Sequence, residues 1–93
     1  MLDATSDVID VAAPWSLSAQ VSLRDESFGA LAYHHVTRRL VFLKSRVLVE
    51  LVRSLDAHES LEAALAAVVP VRERERYVRA LSSLARSEIV RER

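Results

Sequence analysis

Hydrophobic residues recur at every second position from Trp15 to Leu23, fall in short apolar runs up to Leu43, and recur at every third or fourth position after Ser45. That switch of period restricts the chain to strands followed by helices. Trp15, Leu17, Ala19, Val21 and Leu23 alternate with Ser16, Ser18, Gln20 and Ser22, the pattern of a half-buried strand. Arg24-Asp25-Glu26-Ser27 reads as a polar break. Residues 28–33 form a second apolar run with the single glycine, Gly29, beside Ala30 and Ala32, a composition that suits close backbone packing. Residues 34–38 read as a polar turn and residues 39–43 as a third strand. Then Val47, Leu48, Leu51, Val52 and Leu55 fall on one helical stripe headed by Ser45 as N-cap. Asp56-Ala57-His58-Glu59 ends that helix. Ser60 caps the next, with Glu62 in its first turn, where the helix dipole favours a negative charge. Leu61, Ala64, Leu65 and Val68 are its inner stripe, and Pro70 stops it. A third helix from near Arg72 to near Ser87 turns Tyr77, Val78, Leu81 and Leu84 inward, and Ile89 with Val90 folds back on the body. Three strands followed by three helices predict an α+β fold rather than a βαβ fold.

Ninety-three residues suit one domain, expected over residues 14–93 behind a flexible arm at residues 1–13. An apolar fraction of 51% beside 28% charged residues is enough to pack a core. Thirteen Lys and Arg balance thirteen Asp and Glu. A neutral chain has no overall attraction to nucleic acid or to anionic membrane, and weak mutual repulsion leaves a homodimer open. With no cysteine, disulfides and thiolate-held clusters are excluded. No apolar run approaches the ~18 residues of a membrane span. Residues 1–10 hold three aspartates and no Lys or Arg, unlike a secretory signal, so the expected location is cytoplasmic.

Little in the chain points to catalysis. Serines are numerous, but none stands in a nucleophile motif. There is no Gly-rich phosphate loop, and the carboxylates are scattered. His34 and His35 are adjacent in the predicted turn, which makes them solvent-facing rather than metal ligands. No enzyme activity, cofactor or metal is therefore expected. Trp15 reads as a core anchor. More informative is Leu40-Val41-Phe42-Leu43, four apolar residues in a row. Both faces of that strand must meet apolar material, yet a three-stranded sheet with helices on one side leaves its other face wet. Arg72, Arg76 and Arg79 share a helical stripe beside Glu73 and Glu75. They form either a self-compensating surface or a cationic wall for acidic side chains.

The segment Phe28-Gly29-Ala30-Leu31-Ala32-Tyr33-His34-His35, followed by Arg38-Arg39-Leu40-Val41-Phe42-Leu43-Lys44-Ser45, resembles the PqqD-like RiPP recognition elements. Within them it is most similar to the chaperones of the mycofactocin precursor peptide. The similarity continues over residues 48–55, 60–69 and 77–90. It implies a winged-helix-like fold with a three-stranded antiparallel sheet on three helices. It further implies binding of a ribosomally made precursor peptide through its leader, and docking on a radical S-adenosylmethionine (SAM) maturase that performs the chemistry. Many relatives carry a glycine near the end of the last helix, where Ser87-Glu88 stands here.

The residues themselves support the same site. A third strand with an unpaired outer edge can accept an added strand. The leader is then expected to pair with Arg39, Leu40, Val41, Phe42 and Leu43, with side-chain recognition from Arg72, Arg76, Tyr77 and Arg79. Two alternatives are a winged-helix DNA-binding regulator, disfavoured by zero net charge, and a dimerisation module that pairs the third strand with its own copy.

Overall fold

The computed structural model describes residues 9–93. These residues form β1 (Trp15–Leu17), β2 (Val21–Glu26), β3 (Gly29–His34), β4 (Leu40–Leu43), α1 (Arg46–Ser54), α2 (Leu61–Val68), α3 (Arg74–Arg86) and β5 (Val90–Glu92). Short 3-10 turns at Leu55–Ala57 and Val71–Glu73 extend α1 and lead into α3. The α+β expectation holds. β2, β3 and β4 make an antiparallel sheet in that order, and three helices follow. No helix among the described residues is long and apolar enough to cross a membrane.

The first predicted strand is in fact two. Ser18 is buried and turns the chain: its carbonyl accepts from Val21 N–H and its hydroxyl from Gln20 N–H. The alternation of apolar residues runs straight through this turn, so periodicity alone does not reveal it. β1 leaves the main sheet and pairs antiparallel with β5, placing Trp15 opposite Glu92 and Leu17 opposite Val90. The tuck predicted for Ile89 and Val90 is seen, with both side chains fully buried. The expected break at Arg24-Asp25-Glu26 is instead the second half of β2. An edge strand tolerates charges that stay in water, and Arg24 Nε lies 2.7 Å from Glu26 Oε2.

Both hairpin turns depend on unusual backbone. Gly29 has φ 150°, and a Cβ at that position would lie 2.0 Å from the Leu43 carbonyl oxygen. Glycine is needed there for conformation and for space. In the β3–β4 turn Arg38 adopts φ 66°. His34 closes β3 and is buried, which corrects its expected solvent-facing position. Its Nδ1 accepts from the N–H groups of Val36 and Thr37, each at 3.2 Å. The ring thus serves as the internal acceptor that orders the turn. His35 is exposed and meets Ser22 Oγ at 2.6 Å.

The predicted caps are present. Ser45 Oγ accepts from Leu48 N–H and Ser60 Oγ from Ala63 N–H, both at 3.1 Å. α3 ends in a Schellman motif. Ile89 N–H donates to the Leu84 carbonyl at 2.9 Å and Glu88 N–H to the Ala85 carbonyl at 3.0 Å. Glu88, at φ 64°, fills the left-handed position that glycine would fill without strain. Leu43, Leu51, Leu55, Leu61, Leu81, Ile89, Val52 and Val90 form the centre of the core.

The first eight residues of the expected arm lie outside the described part of the chain. Residues 9–13 pack on the helices. Ile9 is buried and its N–H donates to Ser82 Oγ, while the Val11 and Ala13 carbonyls accept from Glu62 and Leu61 N–H at the start of α2. Trp15 is half-buried against the core, with its indole N–H on the Asp10 carbonyl at 2.9 Å.

Candidate functional site: an open apolar sheet edge beside α3

β4 pairs with β3 on one side and with no strand among the described residues on the other. Its side chains divide by face. Val41 packs on the core and Leu43 is fully buried, whereas Leu40 and Phe42 each remain 53% exposed on the outer face. The expectation of apolar surroundings on both sides of this strand is met only on the inner side. On the outer side its neighbours are Tyr33, opposite Leu40, and Leu31, opposite Phe42. The Phe28 ring stacks on Phe42 with centroids 5.7 Å apart. The same rows continue to Ser22 and Arg24 on β2. The outer face is therefore polar at its β2 edge and apolar at its β4 edge. Charged edge strands resist foreign strands, and apolar ones accept them, so the two edges of this sheet differ in kind.

Register decides which backbone groups β4 offers. His34 N–H donates to the Arg39 carbonyl, so these two residues form a hydrogen-bonded pair. In an antiparallel ladder such pairs alternate with non-bonded ones. The Arg39 carbonyl and the N–H and C=O groups of Val41 and Leu43 therefore face β3, the Arg39 N–H donating to Thr37 Oγ1 in the turn, and Leu40 and Phe42 turn theirs toward the open edge. Of the five residues expected to pair with a guest strand, two have backbone groups free to do so. These two also carry the exposed apolar side chains.

α3 meets this edge at one corner. Tyr77 is buried, and its hydroxyl lies 3.0 Å from Ser45 Oγ just past the end of β4. The Arg76 guanidinium sits 5.3 Å from the centroid of the Tyr77 ring, with no carboxylate partner among the described residues. Arg72 is exposed in the 3-10 turn that precedes α3. Arg79 is exposed as well, but at 3.6 residues per turn it points about 160° away from Tyr77. Its Nη1 is 3.7 Å from Glu75 Oε2. The structure thus brings Arg76 and Tyr77 to the corner of the edge and leaves Arg79 on the opposite side of the helix. Further cations flank β4 itself: Arg38 and Arg39 before it and Lys44 after it, all exposed.

Sequence reasoning did not single out Phe28, Leu31 or Tyr33, which complete the outer apolar face; the alternation of Leu31 and Tyr33 with small alanines carried that signal. It also gave no hint of a cleft of about 790 Å³ between the β2–β3 hairpin and α1, lined by Asp25, Glu26, Arg46, Val49, Glu50 and Arg53. The cleft's charges are mixed, and Arg53 Nη2 already bonds Asp25 Oδ1 at 2.9 Å.

Fold and edge together define a small α+β module with one open, apolar sheet edge. A family model, the Peptide chaperone MftB family, matches residues 14–91, and this chain belongs to that family. Among its relatives, Peptide chaperone MftB of Mycobacterium ulcerans is 48% identical over 77 residues, covering 82% of this chain and 71% of the relative. The protein of the same name from Mycolicibacterium smegmatis is 46% identical over 77 residues, covering 82% and 76%. That from Mycobacterium tuberculosis is 39% identical over 88 residues, covering 94% and 81%. No solved structure matches the chain.

Proposed function

We propose that this chain is a non-catalytic peptide chaperone of mycofactocin biosynthesis. It holds the leader of a ribosomally made precursor as an added strand on β4, in the cytoplasm, and presents the far end of the precursor to a radical SAM maturase. Its membership of a peptide-chaperone family supports the peptide partner. The observation that carries the binding mode is the open edge of β4, where the Leu40 and Phe42 backbones face outward beneath half-exposed apolar side chains. Two residues with both groups free offer up to four hydrogen bonds, each worth about 1 kcal/mol net. Covering the exposed halves of Leu40 and Phe42 contributes roughly 1 kcal/mol apiece. These sums suit a guest released after processing better than a permanent subunit.

Register also selects the clean test. Proline at Val41 removes a hydrogen bond to β3 and harms the fold. Proline at Leu40 removes an outward N–H and leaves the β3 ladder whole. Calorimetric titration of the precursor leader into the parent, Leu40→Ala and Leu40→Pro should show a modest loss for alanine and a roughly fivefold further loss for proline. Equal affinities of the two variants, with equal stability in urea, would rule out strand addition at this edge.

A further inference from the structure

The chemistry around β4 says more about its guest than that it is extended. We infer that the edge selects a short acidic-flanked pattern: two apolar residues separated by one position, with a carboxylate on each side. This rests on the reading of β4 as the peptide edge and specifies which peptides it takes.

The pattern follows from alternation and charge. A strand laid on β4 in either direction pairs with Leu40 and Phe42, because those residues have the outward N–H and C=O groups. Guest side chains at those two pairs project to the outer face beside Leu40 and Phe42, in rows that continue through Tyr33 and Leu31. Each then lies about 4.5–5.5 Å from an apolar neighbour. Apolar residues at these two positions extend the existing face, whereas polar ones would interrupt it. The guest residue between them lies against Val41, on the side packed toward the core. The guest residues beyond them reach the two ends of β4. At one end they meet exposed Arg39, with Arg38 beside it. At the other they pass Leu43 and reach the corner where Arg76 covers the Tyr77 ring. None of Arg38, Arg39, Lys44 and Arg76 has a carboxylate partner among the described residues. Cations therefore bracket an apolar centre, and the complement is acid, apolar, any residue, apolar, acid. The pattern is the same in both directions, so strand polarity does not alter it.

The same cations argue against a second copy of this chain as occupant. Two β4 strands paired antiparallel about Val41 would satisfy the four outward hydrogen bonds. They would also set Lys44 of one copy beside Arg38 of the other at both ends of the pair. Like charges across a strand pair are destabilising, and cations on an edge are a common guard against self-association.

The test is a selection of random decapeptides by mRNA display against the immobilised full chain, run in parallel against Leu40→Pro and Arg39→Glu. The expected result is enrichment of apolar residues two positions apart with Asp or Glu on both sides, absent from the Leu40→Pro selection. With Arg39→Glu, one flank changes from acidic to basic. A synthetic consensus peptide with both acids replaced by Lys should bind about tenfold more weakly, since attraction turns to repulsion at both flanks. Peptides that depend on Leu40 but lack the acids, or whose flanks ignore Arg39→Glu, overturn the pattern and leave the edge reading in place. Enrichment unchanged by Leu40→Pro, or no enrichment at all, overturns both. So does sedimentation of the unliganded chain as a dimer that Leu40→Pro dissociates.

Discussion

Replacing Gly29 by alanine tests how the open edge of β4 is held. The added Cβ would sit 2.0 Å from the Leu43 carbonyl oxygen and 3.0 Å from Ser45 N. Carbon and oxygen approach each other no closer than about 3.3 Å even in favourable contacts, so the β3–β4 junction has to open by roughly 1 Å. Both partners are backbone, and no side-chain rotation relieves the clash. Overpacking of this kind costs about 1–3 kcal/mol. Holding a non-glycine residue at φ 150° costs roughly a further 1–3 kcal/mol. Loss of glycine's freedom in the unfolded chain returns about 0.4–1 kcal/mol. The net loss is roughly 1–6 kcal/mol, set against the roughly 5–14 kcal/mol that a domain of this length has in total. Urea unfolding followed through Trp15 fluorescence should show the midpoint falling at nearly constant slope, with Tm lower by at least about 4 °C. Ser27→Ala, at an exposed turn position next to Phe28, should stay within about 0.5 kcal/mol of the parent. If Gly29→Ala loses less than 1 kcal/mol, the close approach of β3 to the end of β4 is wrong, and with it the placement of the open edge.

Two other substitutions probe local devices. Glu88→Gly should stabilise the domain by about 0.5–1 kcal/mol, because relief of left-handed strain at φ 64° exceeds the entropy glycine adds to the unfolded chain; a lower urea midpoint would contradict the Schellman assignment. His34→Ala should cost roughly 2 kcal/mol, through the lost acceptor for Val36 and Thr37 N–H and the buried ring volume. It should also speed amide exchange in residues 36–38, and unchanged exchange there would count against the ring as the organiser of the turn.

Helices, caps and the second and third predicted strands could be read from residue order because each is a local statement. Ser45 and Ser60 bond within three residues of themselves, and the stripe from Leu48 to Leu55 faces inward by helical geometry alone. Whatever depended on distant partners was not readable. Trp15 and Leu17 look like the start of a longer strand, since alternation is blind to a turn at Ser18 whose reason is a partner some seventy residues later. His34 looked like a turn residue because its role as internal acceptor needs the folded loop around it. The candidate edge divides the same way. Leu40-Val41-Phe42-Leu43 was visible as a strand with two apolar faces. The choice of Leu40 and Phe42 as the outward pair hangs on one hydrogen bond between His34 and Arg39. The arginine spacing suggested one stripe, but only Arg76 reaches the Tyr77 corner, because the 3-10 turn at Val71–Glu73 interrupts the helix before Arg72 can join it.

The clasp between β1 and β5 bears on the order of assembly. The β2–β3 hairpin closes across a few residues, whereas β1 must wait for a strand near the other end of the chain, and a longer closure carries a larger entropic penalty. Ile89 and Val90 fill the core only when that late strand docks. On a translating ribosome, the sheet that carries β4 can be drawn together while the plug that stabilises it is still in the exit tunnel. The open edge of β4 would then exist before the domain is locked shut.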